Sequence, residues 1–212
     1  AEVLIDGAPQ IVHVKNTGRL QELLMPEAKV TLQKTLNPNR KTAYDLISVY
    51  KPKLKWVNID SLAPNALMKQ KLMSLNYELV KPEYTYGESR IDFYMERDGE
   101  RFLTEVKGCT LADDLHPGTG LFPDAPTERG VKHLQELTKA AKEGYHCSIA
   151  FVIQMNGIHC VLPNEGAQPE FKEALVKAAR AGVQIVCYSC HVEVDSIKIT
   201  GVVGDTSRFV NM

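Results

Sequence analysis

The sequence predicts a mixed α/β chain in two parts, a small β part over residues 1–61 and a larger α/β part over residues 62–212. Three observations predict it. Up to Ile59 the pattern is short apolar strands with turn residues between them and no long helix. Beyond it, strand patterns alternate with helical ones, as expected of a mixed sheet covered on both faces. Pro64-Asn65 punctuates the chain between the two patterns.

In the first part, Val3-Leu4-Ile5, the turn Asp6-Gly7-Ala8-Pro9 and Ile11-Val12-His13-Val14 make a hairpin-like start. Residues 20–24 read as a short helical piece stopped by Pro26, and residues 29–32 resume the strand pattern. Residues 42–50 and 54–59 are two more strands. Short strands joined by turns suit a small curled barrel of the oligonucleotide-binding (OB) type.

In the second part the expected order is a helix over 66–75, a long strand over 77–96, a strand over 101–107 and a long loop. A helix over 127–143, strands over 147–155 and 158–162, a helix over 169–181 and a strand over 183–190 follow. Gly144 and Gly182 stand where helix C-terminal glycines belong. On the helix over 127–143, Val131, Leu134, Thr138 and Ala141 form the stripe expected to face the core.

Composition narrows the function classes. Of 212 residues, 44% are hydrophobic and 24% charged, which supports a sizeable core and excludes wholesale disorder. A net charge of −1 excludes polyanion binding by overall charge and requires a local basic patch. No apolar run is long enough to cross a bilayer, and Glu2 and Asp6 interrupt the start, so neither membrane insertion nor a signal peptide is expected. Five cysteines, an odd number, point to the reducing cytoplasm and away from a disulfide framework.

The most informative segment is the hairpin around Asp98-Gly99, a strong two-residue turn signal. With Arg97 and Glu100 flanking that turn, paired residue numbers sum to 197. Asp92 then lies opposite Glu105, and Arg90 opposite Lys107. Alternation sends Ile91, Phe93, Met95, Phe102, Thr104 and Val106 to the other, core-like face. Two opposed carboxylates repel unless something positive lies between them, and hard oxygen ligands suit Mg²⁺ or Mn²⁺. Lys107 points to the same side, where an ammonium orients water or offsets charge on phosphate. Asp, a gap of 12 residues and Glu-x-Lys is the arrangement used by metal-dependent phosphodiesterases of the PD-(D/E)xK type. The spacing alone also fits a charged ladder on a wet face, with Glu105 paired to Arg90 or Lys107.

Candidates for phosphate contacts in the first part are Lys15, Arg19, Arg40 and Lys41, with Asn16 and Thr17 as polar neighbours. Tyr44, Tyr50 and Trp56 are strand aromatics that fit stacking surfaces or core equally. Arg129, Lys132 and His133 lie near the start of their helix, where the dipole favours anions; the same residues fit a solvated helix face. The connection over 108–130 directly follows Glu105-x-Lys107 and is expected to border the candidate site, with Asp124, Thr127 and Glu128 near its end; a mobile excursion with no role is the alternative. Cys187-x-x-Cys190-His191 matches a haem-attachment spacing, but on a strand the two cysteines point to opposite faces, so they are read as small apolar side chains. Neither a Walker loop nor a G-x-S-x-G elbow occurs.

The runs Tyr86-Gly87-Glu88-Ser89-Arg90-Ile91-Asp92-Phe93, Glu105-Val106-Lys107-Gly108-Cys109-Thr110-Leu111 and Leu121-Phe122-Pro123-Asp124-Ala125-Pro126-Thr127-Glu128-Arg129-Gly130-Val131-Lys132-His133-Leu134 resemble the sugar fermentation stimulation protein A family. Asn16-Thr17-Gly18, Asn37-Pro38, Arg40-Lys41, Pro64-Asn65 and Phe151-Val152-Ile153-Gln154 extend the similarity over nearly the whole chain. The resemblance implies an OB-like N-terminal domain joined to a PD-(D/E)xK restriction-endonuclease-like domain. It also implies non-specific binding of DNA, with RNA as the alternative, and an effect on sugar (maltose) utilisation. Asp92, Glu105 and Lys107 become the catalytic residues, with Asp92, Glu105 and the Val106 carbonyl holding Mg²⁺ or Mn²⁺. Arg90 joins the nucleic-acid contacts. Related chains begin with a further basic strand, so the first OB strand is expected to precede Ala1. The first core helix offers no further acid, which favours one metal over two, and Glu88 stands where Asp is more usual. A DNA-binding regulator that keeps the scaffold without cleaving is the competing function, and a homodimer is compatible with either.

Overall fold

The computed structural model describes residues 1–204 and Phe209. The N-terminal part is all β. Strands β1 (Glu2–Ile5) and β2 (Ala8–Ile11) form an antiparallel ribbon closed by Asp6-Gly7, both at positive φ. Ala8 and Pro9, expected in the turn, belong to β2. Strand β3 (His13–Val14) runs parallel to β5 (Tyr44–Lys51), which pairs antiparallel with β4 (Val30–Lys34) and β6 (Lys55–Asn58). Residues 20–24, expected as a helical piece, make a single turn in which the Leu23 and Leu24 amides donate to the Leu20 carbonyl. Pro26 lies too close behind for a second turn to form.

The C-terminal part is a six-stranded sheet in the order β15–β14–β12–β9–β8–β7. Its members are β7 (Leu79–Tyr86), β8 (Ser89–Arg97), β9 (Glu100–Cys109), β12 (His146–Ile153), β14 (Gln184–Val192) and β15 (Ile197–Gly204). The central strands β9, β12 and β14 are parallel, and the flanking pairs are antiparallel. The expected long loop holds two short strands, β10 (Leu111–Ala112) and β11 (Thr119–Phe122), which form a small second sheet with β13 (Cys160–Pro163). The strand expected over 77–96 is two strands, because Gly87 takes φ +57° and turns the chain at Gly87-Glu88.

Helix α1 (Ala63–Met73) starts three residues earlier than expected, with Pro64 in its first turn, where a missing N–H costs no hydrogen bond. Its Met68 and Leu72 pack with Phe93, Met95, Val106, Val152 and Cys190 on one face of the sheet. Helices α2 (Glu128–Lys142) and α3 (Pro169–Arg180) pack on each other, with Leu134, Leu137, Phe171 and Leu175 in the core of the opposite face. The buried residues of α2 are Gly130, His133, Leu134, Leu137 and Ala140. The helix is therefore rotated from the expected Val131–Thr138 stripe, with Gly130 packed close to Phe171 of α3. Gly144 and Gly182 take φ of +88° and +95° just past their helices. Cys187 and Cys190 fall in different core clusters, as strand alternation requires.

The two parts share one core. Val12, Leu46, Val49 and Val57 of the N-terminal strands belong to the same buried cluster as Leu134, Ile149 and Phe151. Amide side chains fasten the seam. Gln154 Nε2 donates to Asn58 Oδ1 (2.8 Å) and the Asp60 carbonyl (3.0 Å). Asn156 bonds the Leu54, Trp56 and Val192 carbonyls and accepts from the Val192 amide.

Candidate metal centre and adjoining pocket

The β8–β9 hairpin has the expected register, with Arg97 opposite Glu100 and Phe93 opposite Thr104. The ladder ends there. On the other side of β8, Pro82 pairs with Phe93 and Tyr84 with Ile91, with no pair between them, and Glu83 takes φ +55°. Asp92 sits at this break. Its side chain replaces a ladder bond, since Val106 N–H donates to Asp92 Oδ2 at 2.8 Å. The Asp92 amide in turn reaches Glu105 Oε2 at 3.4 Å. The break also corrects one expected position: Ile91 joins the core cluster of Tyr94 and Leu137 instead of that of Phe93 and Met95.

Glu105 is only 1% exposed. Its Oε1 accepts from Lys107 Nζ (2.7 Å) and from His133 Nδ1. Arg129 Nε donates to His133 Nε2 at 3.3 Å, which places the imidazole proton on Nδ1. Asn65, in the first turn of α1, donates to Asp92 Oδ1 at 2.9 Å. Burial, then the charge of Glu105, pushes the Asp92 carboxyl up, against the pull of Val106 N–H, Asn65 and Lys107. Burial works to raise Glu105 as well, but the His133 hydrogen bond and the Lys107 charge outweigh it and hold that carboxyl low. One acid is thus firmly ionised and its neighbour is poised to gain from a nearby cation.

The donor set fits a hard divalent cation. Two carboxylates and a backbone carbonyl are oxygen ligands, and each carboxylate keeps lone pairs beyond the bonds described. Among the described residues no cluster of three or more His, Cys, Asp or Glu side chains is arranged to hold a metal. Asp92, Glu105 and the Val106 carbonyl would therefore hold the ion with water or phosphate completing its shell, as Mg²⁺ prefers.

Beside the acids lies a pocket of about 330 Å³ walled by both parts of the chain, including Asn16, Thr17, Asn65, Val106, Asp124 and Gln154. Asn16 Nδ2 donates to the Ile59 carbonyl (2.8 Å), and the Arg19 amide donates to Asp124 Oδ2 (3.0 Å). Thr127 Oγ1 caps α2 by accepting from Gly130 N–H at 3.0 Å, and Glu128 is exposed in its first turn.

The remaining candidates are dispersed and mostly paired with acids. Lys15 and Arg40 converge on the buried Asp45, Lys15 also pairing with Asp60 at 2.9 Å, and Lys41 is exposed nearby. Arg19 pairs with Glu22, Arg90 with Glu83 (3.6 Å) and Lys132 with Glu88 (3.3 Å). His133, expected to meet phosphate, is 3% exposed and turned inward to Glu105, because the rotated α2 buries its face. Asn65 and Gln154 were not among the expected site residues. Their signals were a polar side chain behind Pro64 at a helix start and an amide ending an apolar run.

Residues 59–196 match the sugar fermentation stimulation protein RE domain, and residues 1–59 match the SfsA N-terminal OB domain. The chain is 45% identical over 207 residues to the sugar fermentation stimulation protein homolog of Clostridium acetobutylicum, covering 94% of this chain and 88% of that one. It is 46% identical over 203 residues to the homolog of Ruminiclostridium cellulolyticum, with the same coverage of 94% and 88%. Its fold superposes on the structure of Pyrococcus furiosus SfsA in complex with Ca²⁺ with a TM-score of 0.84 at 26% identity, covering 96% of this chain and 88% of that one. With both of its parts matched in order, the chain belongs to the sugar fermentation stimulation protein family.

Proposed function

We propose that the protein is a divalent-metal-dependent phosphodiesterase acting on DNA or RNA. The observation that carries this reading is the acid pair at the strand break, Glu105 buried and Asp92 half-buried beside it, with Lys107 Nζ 2.7 Å from Glu105. A surface ladder gains nothing from an acid that is 1% exposed, and Lys107 beside two carboxylates leaves negative charge for a further cation to offset. The Ca²⁺ bound to the Pyrococcus furiosus relative supports a divalent cation here; Mg²⁺ or Mn²⁺ is the ion proposed for catalysis. Asp92, Glu105 and the Val106 carbonyl hold the ion, which when bound supplies charge to the phosphate oxygens and acidifies a water. Lys107 holds its ammonium on the same side, where it orients that water and offsets charge developing on the phosphate. His133 and Asn65 hold the two carboxylates in place.

The test is incubation of labelled DNA and RNA with Mg²⁺, Mn²⁺ or EDTA, with Asp92→Ala and Glu105→Ala alongside the parent. Cleavage should need the metal and both acids, while nucleic-acid binding survives their loss. A parent that binds but never cuts either substrate would establish a non-cleaving regulator on a nuclease scaffold.

A further inference from the structure

The pocket between the OB domain and the acid pair is the strongest unassigned feature of the molecule. Of the described side chains around it, only Asp124 is charged. The others that carry polar groups, among them Asn16, Thr17, Asn65 and Gln154, are neutral donors and acceptors. A pocket with one acid and no base repels phosphate and accepts a neutral, hydrogen-bonding group. Its volume of about 330 Å³ is at the small end of the range for ligand sites, roughly 300–1,000 Å³. That leaves room for one ring system and a sugar, and excludes a duplex.

Gln154 is built for recognition. It is 1% exposed, and its Nε2 is committed to Asn58 Oδ1 and the Asp60 carbonyl, which fixes the amide orientation. Oε1 is left as an acceptor for whatever enters. Gly108 makes room for that oxygen, because a Cβ there would stand 2.3 Å from Gln154 Oε1 and 2.9 Å from Pro64 Cγ. Asn65 and Val106 line the same pocket and both hydrogen-bond Asp92. A group in the pocket is therefore contiguous with a phosphate at the acids.

We infer that this pocket receives one nucleoside of the substrate strand, next to the phosphate held at Asp92 and Glu105, with Gln154 Oε1 accepting from a base amine or sugar hydroxyl. The inference rests on the proposed phosphodiesterase reading and narrows it. A nucleoside can enter only if it is unpaired, so the substrate is single-stranded or frayed at the cut.

The test uses nucleoside 5′-monophosphates as probes, titrated calorimetrically into the full chain with Ca²⁺ present, and a separate Ca²⁺ titration without nucleotide. Thr17→Trp fills the pocket from an exposed loop, and Gly108→Ala blocks Gln154; circular dichroism melts verify that each folds. The parent should bind mononucleotide, and both variants should lose about tenfold or more while Ca²⁺ affinity is unchanged. Thr17→Trp binding as tightly as the parent overturns the pocket assignment, and decides alone if Gly108→Ala does not fold. A parent that binds Ca²⁺ but no nucleotide overturns it too and leaves the metal reading standing. Nucleotide binding that responds to Thr17→Trp without any Ca²⁺ binding supports the pocket and removes the metal reading.

Discussion

Nδ1 of His133 donates to Oε1 of Glu105, tying helix α2 to strand β9 at the acid pair. The proton position follows from Arg129, which donates to Nε2 at 3.3 Å. Outer partners of this kind fix the orientation of a ligand carboxylate, and their loss typically costs about 10–100-fold in metal affinity. An Asn amide nitrogen falls near Nδ1, whereas a Gln amide reaches toward Nε2. His133→Asn should therefore retain Ca²⁺ or Mn²⁺ affinity in calorimetric titrations, and His133→Gln should lose it. Equal losses in both would mean that ring packing, not this bond, is what matters.

Asp45 gives a pH dependence with a definite sign. It is buried, and the hydrogen bond from Arg40, with His13 and Lys15 adding to it against burial, holds its carboxyl well below the usual range. As pH falls, the unfolded chain takes up this proton first. The stabilisation is complete above the unfolded value of about 3.9 and is lost as pH falls from there through the lower folded value. Asp45→Asn should thus be destabilised at neutral pH, with the gap to the parent shrinking in urea melts below about pH 4. A gap that stays constant into acid would assign the effect to shape instead of charge.

Asn156 makes two bonds across the seam, at 3.2 and 3.3 Å to the Leu54 and Trp56 carbonyls, and two more, at 2.9 and 3.0 Å, to Val192 on β14. Asn156→Ala should cost about 2–3 kcal/mol, since several sheltered backbone groups lose their partner together. Urea unfolding measures it. A loss below about 0.5 kcal/mol would mean that water replaces the amide at little cost.

Lys132 and Glu88 form an exposed pair at 3.3 Å, the acid 86% and the lysine 46% accessible. Such a pair contributes little to stability. Glu88→Gln should leave the melting temperature alone, tighten nucleic-acid binding at low salt by a few-fold, and steepen the salt dependence by up to about one phosphate's worth. Unchanged affinity and slope would place Lys132 away from the bound strand.

The hairpin register was legible because Asp98-Gly99 leaves one geometry for its turn, after which arithmetic pairs the strands. The break at Asp92 was not, because it arises from partners distant in sequence: Asn65 on α1 and the Val106 amide freed by the parted ladder. The burial of His133 was missed for a similar reason. Val131–Thr138 and Gly130–Leu137 are neighbouring stripes of one helix, and packing on α3 and the sheet, distant in sequence, selects between them. Strand β15 was passed over although Ile197-Lys198-Ile199-Thr200 alternates with period two. Its apolar positions are few, and it gains its place by pairing with β14.

The shared core has a mechanical consequence. Val57 and Ile59 at the end of the OB domain are fully buried in the cluster that also holds Phe151 and Leu134, and Gln154 locks the junction beside them. The shared core and the amide bonds couple the two halves directly at the groove. On the proposed reading a strand would enter it already unstacked, and the cost of straightening would fall on the substrate. For the same reason, heating should melt both halves in one transition, and a ligand seated in the groove should raise that single temperature for the entire molecule.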